Sequence, residues 1–294
     1  MPAIWTDPSN SSITFPTGAI PTPRSRLLKA RPFVPPAMAV PSEIAYVPKY
    51  RSVFGNDRYG DCVSAEEAFA KTCVNPEMFN SQAAVDQLSD VCIAWARSHG
   101  VLNGASLDEV LDWMFQKGYQ IGPQLFNDGG KLGVDYSNEG LLKSAIAQGP
   151  VKIAISASSL PSGAGSQDGW YSLSSRSRGS DHSTTLCGYG TVEYCYDQLK
   201  LPVPSGIAPH TPGYLHYTWR TIGFVTWGYI TGGAVEEAWV RQPTTIGIPP
   251  LPGPTPPGPG PIPPGPVPPD VDYPTVTVDK IILPGEYIWL KKFG

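Results

Sequence analysis

Proline constrains this chain more than any other residue, because it fixes φ, removes a backbone donor, and is kept out of helix interiors and central strands. The chain has 34 prolines in 294 residues: 10 in 1–50, 8 in 51–242, 14 in 243–269 and 2 in 270–294. A regular fold is therefore predicted for the middle, between two flanks of a different kind. Four segments follow: an extended Pro-rich arm over 1–45, a folded domain over 46–242, a Pro/Gly-rich linker over 243–269, and a C-terminal segment over 270–294. The linker's glycines at 247, 253, 258, 260 and 265 miss the every-third-residue spacing of a collagen triple helix, so it reads as a polyproline II spacer. In the last segment the runs Thr275–Ile282 and Glu286–Lys291 flank Pro284-Gly285 and predict a β-hairpin. A lone hairpin is marginal in water, so it is expected to pair with its own body or with another chain.

A net charge of −4 argues against a nucleic-acid partner, which needs a clustered basic excess. The one basic cluster, Arg24, Arg26, Lys29 and Arg31, lies in the arm and reads as solvated or docked on a protein partner. No apolar run reaches the ~18 residues of a membrane span, and the opening MPAIWTDPSNSS has neither the basic nor the apolar region of a secretory signal. The sequence leaves the location open, cytoplasmic or virion-associated if the chain belongs to an assembly. The five cysteines, an odd number, read as free thiols and not as a disulfide framework. They show no Cys-x-x-Cys spacing and make no ligand pattern with His99, His210 or His216, so neither metal nor cofactor is expected.

Within the domain, apolar spacing predicts helices over 62–73, 82–98 and about 138–148. The capping box Ser106-Leu107-Asp108-Glu109 opens another, which Gly118 would stop. After Gly149-Pro150 the character changes. Val151, Ile153 and Ile155 alternate with Lys152, Ala154 and Ser156 as in a strand, and 184–189, 214–219 and 224–230 are β-branched and aromatic. The fold class predicted is α+β, a helical lobe followed by a β lobe, with a cleft between them as the natural place for a site.

Cys62 falls at a predicted helix start, where the dipole favours a thiolate, although Asp61 beside it opposes one. His182, at the mouth of a β segment, is the candidate base, and Asn56 carries an amide that would donate to an oxyanion. Cys187 reads as a core thiol, as do Cys73 and Cys92.

These residues resemble the papain-like cysteine peptidases over roughly Tyr46 to Val240. Gly60-Asp61-Cys62-Val63-Ser64 is similar to the family's glycine-x-cysteine segment, and Asp181-His182 with Gly188-Tyr189-Gly190 to its histidine region. Trp219 with Gly228-Tyr229-Ile230 resembles the tryptophan-rich closing segment. The resemblance implies a two-lobed papain-like fold and cysteine-dependent hydrolysis of a peptide or protein substrate. Cys62 would be nucleophile, His182 base, and Asn56 with the Cys62 backbone amide the oxyanion donors. Two positions depart from the family. Val63 stands where an aromatic residue is usual, and the orienting asparagine is replaced by Tyr217, or by Val225 in a second alignment. Loss of that third partner predicts a slow enzyme or an inactive one. The competing expectation is a catalytically degenerate module, structural or adhesive, held in a larger assembly such as a viral or phage particle through residues 1–45 and 270–294.

Overall fold

The computed structural model describes residues 3–37, 39–175 and 177–242, and the spacer and hairpin expected over 243–294 lie outside the described residues. The chain opens with a hairpin, β1 (Ala3–Asp7) and β2 (Asn10–Thr17), then β3 (Ala19–Ile20), one helical turn α1 (Arg24–Leu27) and β4 (Ile44–Ala45). The helical half holds α2 (Cys62–Val74), α3 (Gln82–Ser98), β5 (Ala105–Ser106), α4 (Leu107–Gln116), β6 (Tyr119–Ile121), β7 (Gln124–Phe126), β8 (Lys131–Gly133) and α5 (Glu139–Ile146). The β half holds β9 (Val151–Ile155), β10 (Tyr171–Ser172), β11 (His182–Thr191), α6 (Val192–Leu199), β12 (Pro212–Thr218), β13 (Thr221–Thr226), α7 (Trp227–Tyr229) and β14 (Val235–Arg241). This is the two-lobed α+β arrangement that the residue pattern predicts.

Local chemistry sets the helix starts. Ser81, Ser106 and Asn138 accept hydrogen bonds from Ala84 N (3.3 Å), Glu109 N (3.3 Å) and Leu141 N (3.1 Å), satisfying donors that a first helical turn leaves unpaired. The apolar stripe of α3, Val85, Leu88, Cys92 and Trp95, is buried as its spacing requires. Thr191 caps α6 through Tyr194 N at 3.2 Å, a helix that the β-like run around it hid.

The main sheet runs in the order β10-β13-β12-β11-β9-β14-β8, with β4 added against β11. Apolar clusters lie on its two sides. One gathers α2, α3 and α4 with Leu215 and Tyr217, and the other gathers Leu142, Ile146, Ile153, Ile155 and Tyr214. The alternation of β12 between the two is the ordinary pleat, successive side chains pointing to opposite faces.

Val151–Ile155 forms the strand that its alternation predicts, and all five residues are buried, Lys152 completely so. Its ammonium reaches Glu66 Oε2 (2.6 Å), Glu67 Oε1 (2.7 Å) and Val63 O (2.7 Å), which uses all three donors. Arg241 on β14 donates to Glu67 Oε2 (2.7 Å) and Pro150 O (2.9 Å) and also pairs with Glu66, while Lys71 pairs with Asp128. Three carboxylates and three cations thus close a neutral buried network that fixes α2 against β9 and β14. Arg241 and Lys152 hold the Glu67 carboxyl far below the usual carboxylate range against the opposing effect of burial.

One expectation needs correcting, that of the arm. An extended cover over a separate body is expected, yet Trp5 and Phe15 are buried in the second cluster and Ala19 in the first. Asp7 accepts from Gly163 N at 2.8 Å, and β4 pairs Ile44 and Ala45 with Tyr189 and Gly188 of β11. The boundary expected at 45/46 therefore falls at the end of a paired strand. The basic cluster is docked on the chain itself through Arg26, which pairs with Asp108 and with Asp112 (2.8 Å).

Candidate active site

Cys62 begins α2, with Asp61 at the N-cap position, and the Asp61 carbonyl accepts from Ser64 N and Ala65 N at 2.9 Å. His182 begins β11, paired with Ile155 at the end of β9. The lobes bring these two ends together: Ser183 N–H, the next backbone donor after His182, lies 3.4 Å from the Cys62 sulfur. Cys62 and His182 are each 1% exposed.

Thr218 Oγ1 is the hydrogen-bond partner of the His182 ring, 2.8 Å from Nε2, and Nδ1 has no partner. Tyr217, expected at this place, faces the other way. Its ring stacks on Phe69 of α2 with centroids 3.5 Å apart, and its hydroxyl reaches the Ser52 carbonyl (3.0 Å) and the Trp219 carbonyl. The reason is the pleat: neighbours on β12 point to opposite faces, so a residue one position away from Tyr217 meets the histidine. A second pair, His216 Nε2 with Thr184 Oγ1 at 2.7 Å, repeats the arrangement across the same two strands.

Trp219 roofs the histidine. Its ring stacks on His182 at 4.6 Å and is covered from the arm by Phe15 (4.5 Å) and Trp5 (4.6 Å). It lies between β12 and β13 with φ +49°, a left-handed conformation that a bulky side chain rarely adopts and that costs about 1–3 kcal/mol. Tight aromatic packing on both ring faces holds it there.

Asn56 is close by but occupied. Its amide donates to Pro16 O (3.1 Å) and Tyr59 O (2.8 Å), the first of which belongs to the arm. The arm fills the cleft along its length. Ala19 N donates to Asp181 O (2.9 Å) of the β lobe, and Ala105 N donates to Gly18 O (3.0 Å) from the helical lobe. Ala19 and Ile20 pair in parallel with Ala105 and Ser106.

The electrostatics match a covered site. Burial pushes the Cys62 thiol up to about 12, opposed by the backbone N–H groups of Ser183 and Gly18 and reinforced by Asp61. Burial, with His216 adding to it, pushes His182 down to about 3. Asp61 is itself raised well above the ordinary carboxylate range by burial, and its oxygens accept no hydrogen bond of ordinary geometry. Burial is the larger effect, and Asp61 opposes the thiolate as its position beside Cys62 predicts. With the arm in place the pair is a neutral thiol and a neutral imidazole.

Unpartnered buried polar atoms gather at this cleft: Thr17 Oγ1, the Asp61 oxygens, Ser180 Oγ, His182 Nδ1, Ser183 Oγ and Trp219 Nε1. Such atoms are rare in native interiors and each calls for an explanation. The five cysteines are all free and buried, and among the described residues no three His, Cys, Asp or Glu side chains stand together as a metal site. Thr218, Trp5, Phe15 and Gly18 were not visible as site residues in the sequence. Pleat alternation along Tyr214–Thr218 is the signal that would have found the first.

No protein-family model matches the chain, and no curated protein does. Among solved structures it is similar to the digestive procathepsin L 3 of Tenebrio molitor larval midgut, at 14% identity and TM-score 0.46, covering 72% of this chain and 73% of that one. It is similar to the proform of the ragweed pollen cysteine protease Amb a 11, at 10% identity and TM-score 0.44, covering 71% and 68%. It is similar also to a cysteine protease of Carica candamarcensis, at 13% identity and TM-score 0.43, covering 69% and 99%. These neighbours are papain-like cysteine proteases. At such identities and scores the likeness does not carry the chemistry, which rests on the residues of the cleft.

Proposed function

We propose that this chain is a cysteine-dependent peptidase of papain-like type whose cleft is closed by its own N-terminal segment. Cys62 attacks the peptide carbonyl as a thiolate, and His182 takes the thiol proton and delivers it to the departing amine. Water then hydrolyses the acyl-enzyme and regenerates the thiol. The Cys62 backbone N–H and the Asn56 amide, freed from Pro16, would receive the oxyanion. The observation that carries this reading is the contact of Ser183 N–H with the Cys62 sulfur beside a buried His182 whose Nδ1 has no partner. With Nε2 engaged by Thr218, Nδ1 is the ring nitrogen left to take the thiol proton.

The closed state supports the same reading physically. Cys62 faces backbone N–H groups of Ser183 and Gly18, while the Gly18 carbonyl is turned to Ala105.

The competing reading, a degenerate module serving an assembly, draws on a different observation: Thr218 stands where an amide is expected, and Trp5 and Phe15 are built into the core. Alkylation by iodoacetamide separates the two, with Cys62→Ala as control and a Phe15→Ala chain to loosen the segment. The peptidase reading expects rapid Cys62-specific labelling of the loosened chain together with cleavage of a peptide mixture. Labelling no faster than that of a surface thiol, with no cleavage, overturns it. Light scattering of the full chain against one ending at 242 tests the module reading, which a monomer in both cases overturns.

A further inference from the structure

Three glycines meet beside Cys62. A Cβ on Gly18 would overlap the Gly60 carbonyl oxygen outright and lie 2.6 Å from its carbon, while a Cβ on Gly104 would lie 2.6 Å from the Gly18 carbonyl oxygen. Gly18 does not have a positive φ, so space and not backbone freedom forbids a side chain there. Gly60 immediately precedes the Asp61-Cys62 helix start, and Gly104 precedes β5, whose Ala105 N–H holds Gly18 O. Backbone thus meets backbone on both sides of one rung of the cleft. Three residues away, Phe15 lies on the Trp219 ring, and its own ring fills the space that a Cβ on Gly165 would need.

We propose that this constriction makes the cleft a glycine-selective peptide site: any extended peptide that enters it carries glycine at the residue beside Cys62 and an aromatic residue three positions away to meet Trp219. The chain's own Phe15-Pro16-Thr17-Gly18-Ala19 is the resident ligand. As a statement about substrates this rests on the peptidase reading; as a statement about binding it does not.

The test uses the full chain carrying Phe15→Ala and follows alkylation of Cys62 by iodoacetamide, mapped by mass spectrometry. The probes are a synthetic peptide of residues 3–20 and the same peptide with Gly18→Val. Protection of Cys62 by about tenfold or more with the first, and less than twofold with the second, is the expected result. Equal protection by both, or none by either, overturns the proposal. A second arm places Gly18→Val in the otherwise unchanged full chain. Faster Cys62 alkylation with unaltered far-ultraviolet circular dichroism is expected. A chain that fails to fold, or one whose Cys62 stays as protected as in the wild type, shows that the segment is not a displaceable ligand and overturns the proposal. Selective protection without any peptide cleavage upholds glycine selection and removes the peptidase reading alone.

Discussion

Thr218 Oγ1 lies 2.8 Å from Nε2 of His182, and this hydroxyl takes the position where an amide would orient the base. The difference is chemical as well as spatial. An amide oxygen can only accept, which fixes the proton on Nε2 and leaves Nδ1 a lone pair, whereas a hydroxyl donates or accepts and fixes neither tautomer. In the loosened Phe15→Ala chain, Thr218→Asn is expected to raise peptide turnover by about tenfold and Thr218→Val to lower it by a similar factor, a part of the ~10²–10⁴-fold that a well-placed acid–base group contributes. Initial rates across pH check this, because a tautomer effect changes the plateau while KM stays near its starting value.

The aromatic stack over the histidine sets how often the cleft opens. Phe15 and Trp5 both lie on Trp219, and truncating a buried phenylalanine typically costs about 3–5 kcal/mol. If most of that loss falls on docking of the segment, the open population rises roughly a hundredfold, each ~1.4 kcal/mol being a factor of ten. Phe15→Ala is therefore expected to speed Cys62 alkylation by about two orders of magnitude over wild type. Equal rates in the two chains would mean that Cys62 is covered by something other than this segment.

The buried charges make a separate prediction. Lys152 is enclosed by Glu66, Glu67 and the Val63 carbonyl, so Lys152→Met strands carboxylates away from water. Removing one partner of a buried pair typically costs about 3–5 kcal/mol. The unfolding free energy from urea titration should fall accordingly, while Lys143→Met, from the half-exposed pair with Glu139, should lower it by less than about 1 kcal/mol.

Acid should destabilise the domain through two histidines. Burial lowers His182 and His216 to about 3 each, against 6.5 for an unperturbed histidine, so between those values the unfolded chain binds protons that the folded one does not. Stability then rises with pH across that window and is lost as pH falls from 6.5 toward 3. Each histidine contributes up to ~1.4 kcal/mol per pH unit. Urea unfolding at pH 7 and pH 5 should show a smaller drop for His216→Gln than for wild type by about one proton's worth, and an equal drop would remove His216 from this account.

Much of the helical half is legible in the sequence, because caps and stripes are local: Ser106 and Asn138 mark starts that the structure keeps, and the apolar stripe of 82–98 is buried. Cys62 and His182 are legible for a similar reason, each lying at the start of an element. The burial of Lys152 is not legible because alternation says nothing about the far face of a strand that a helix covers, and the partners that admit a buried ammonium, Glu66 and Glu67, lie 86 and 85 residues away. Thr218 is hidden behind its neighbour because one residue of register changes the face. The arm is the largest surprise. Its prolines speak for extended chain, and extended chain does not reveal whether it will lie on a surface or be drawn between two lobes.

The segment 16–20 is bonded on both sides, to Asn56 and Ala105 of the helical lobe and through Ala19 to Asp181 of the β lobe. It therefore acts as a splint as well as a cover. Its departure would break hydrogen bonds on both walls at once, leaving an amide, a backbone N–H and a carbonyl that a second extended chain satisfies better than open water does. Release and loading become one exchange of strands, and amide hydrogen exchange at Ala19 and Ala105 should report it as a single concerted event.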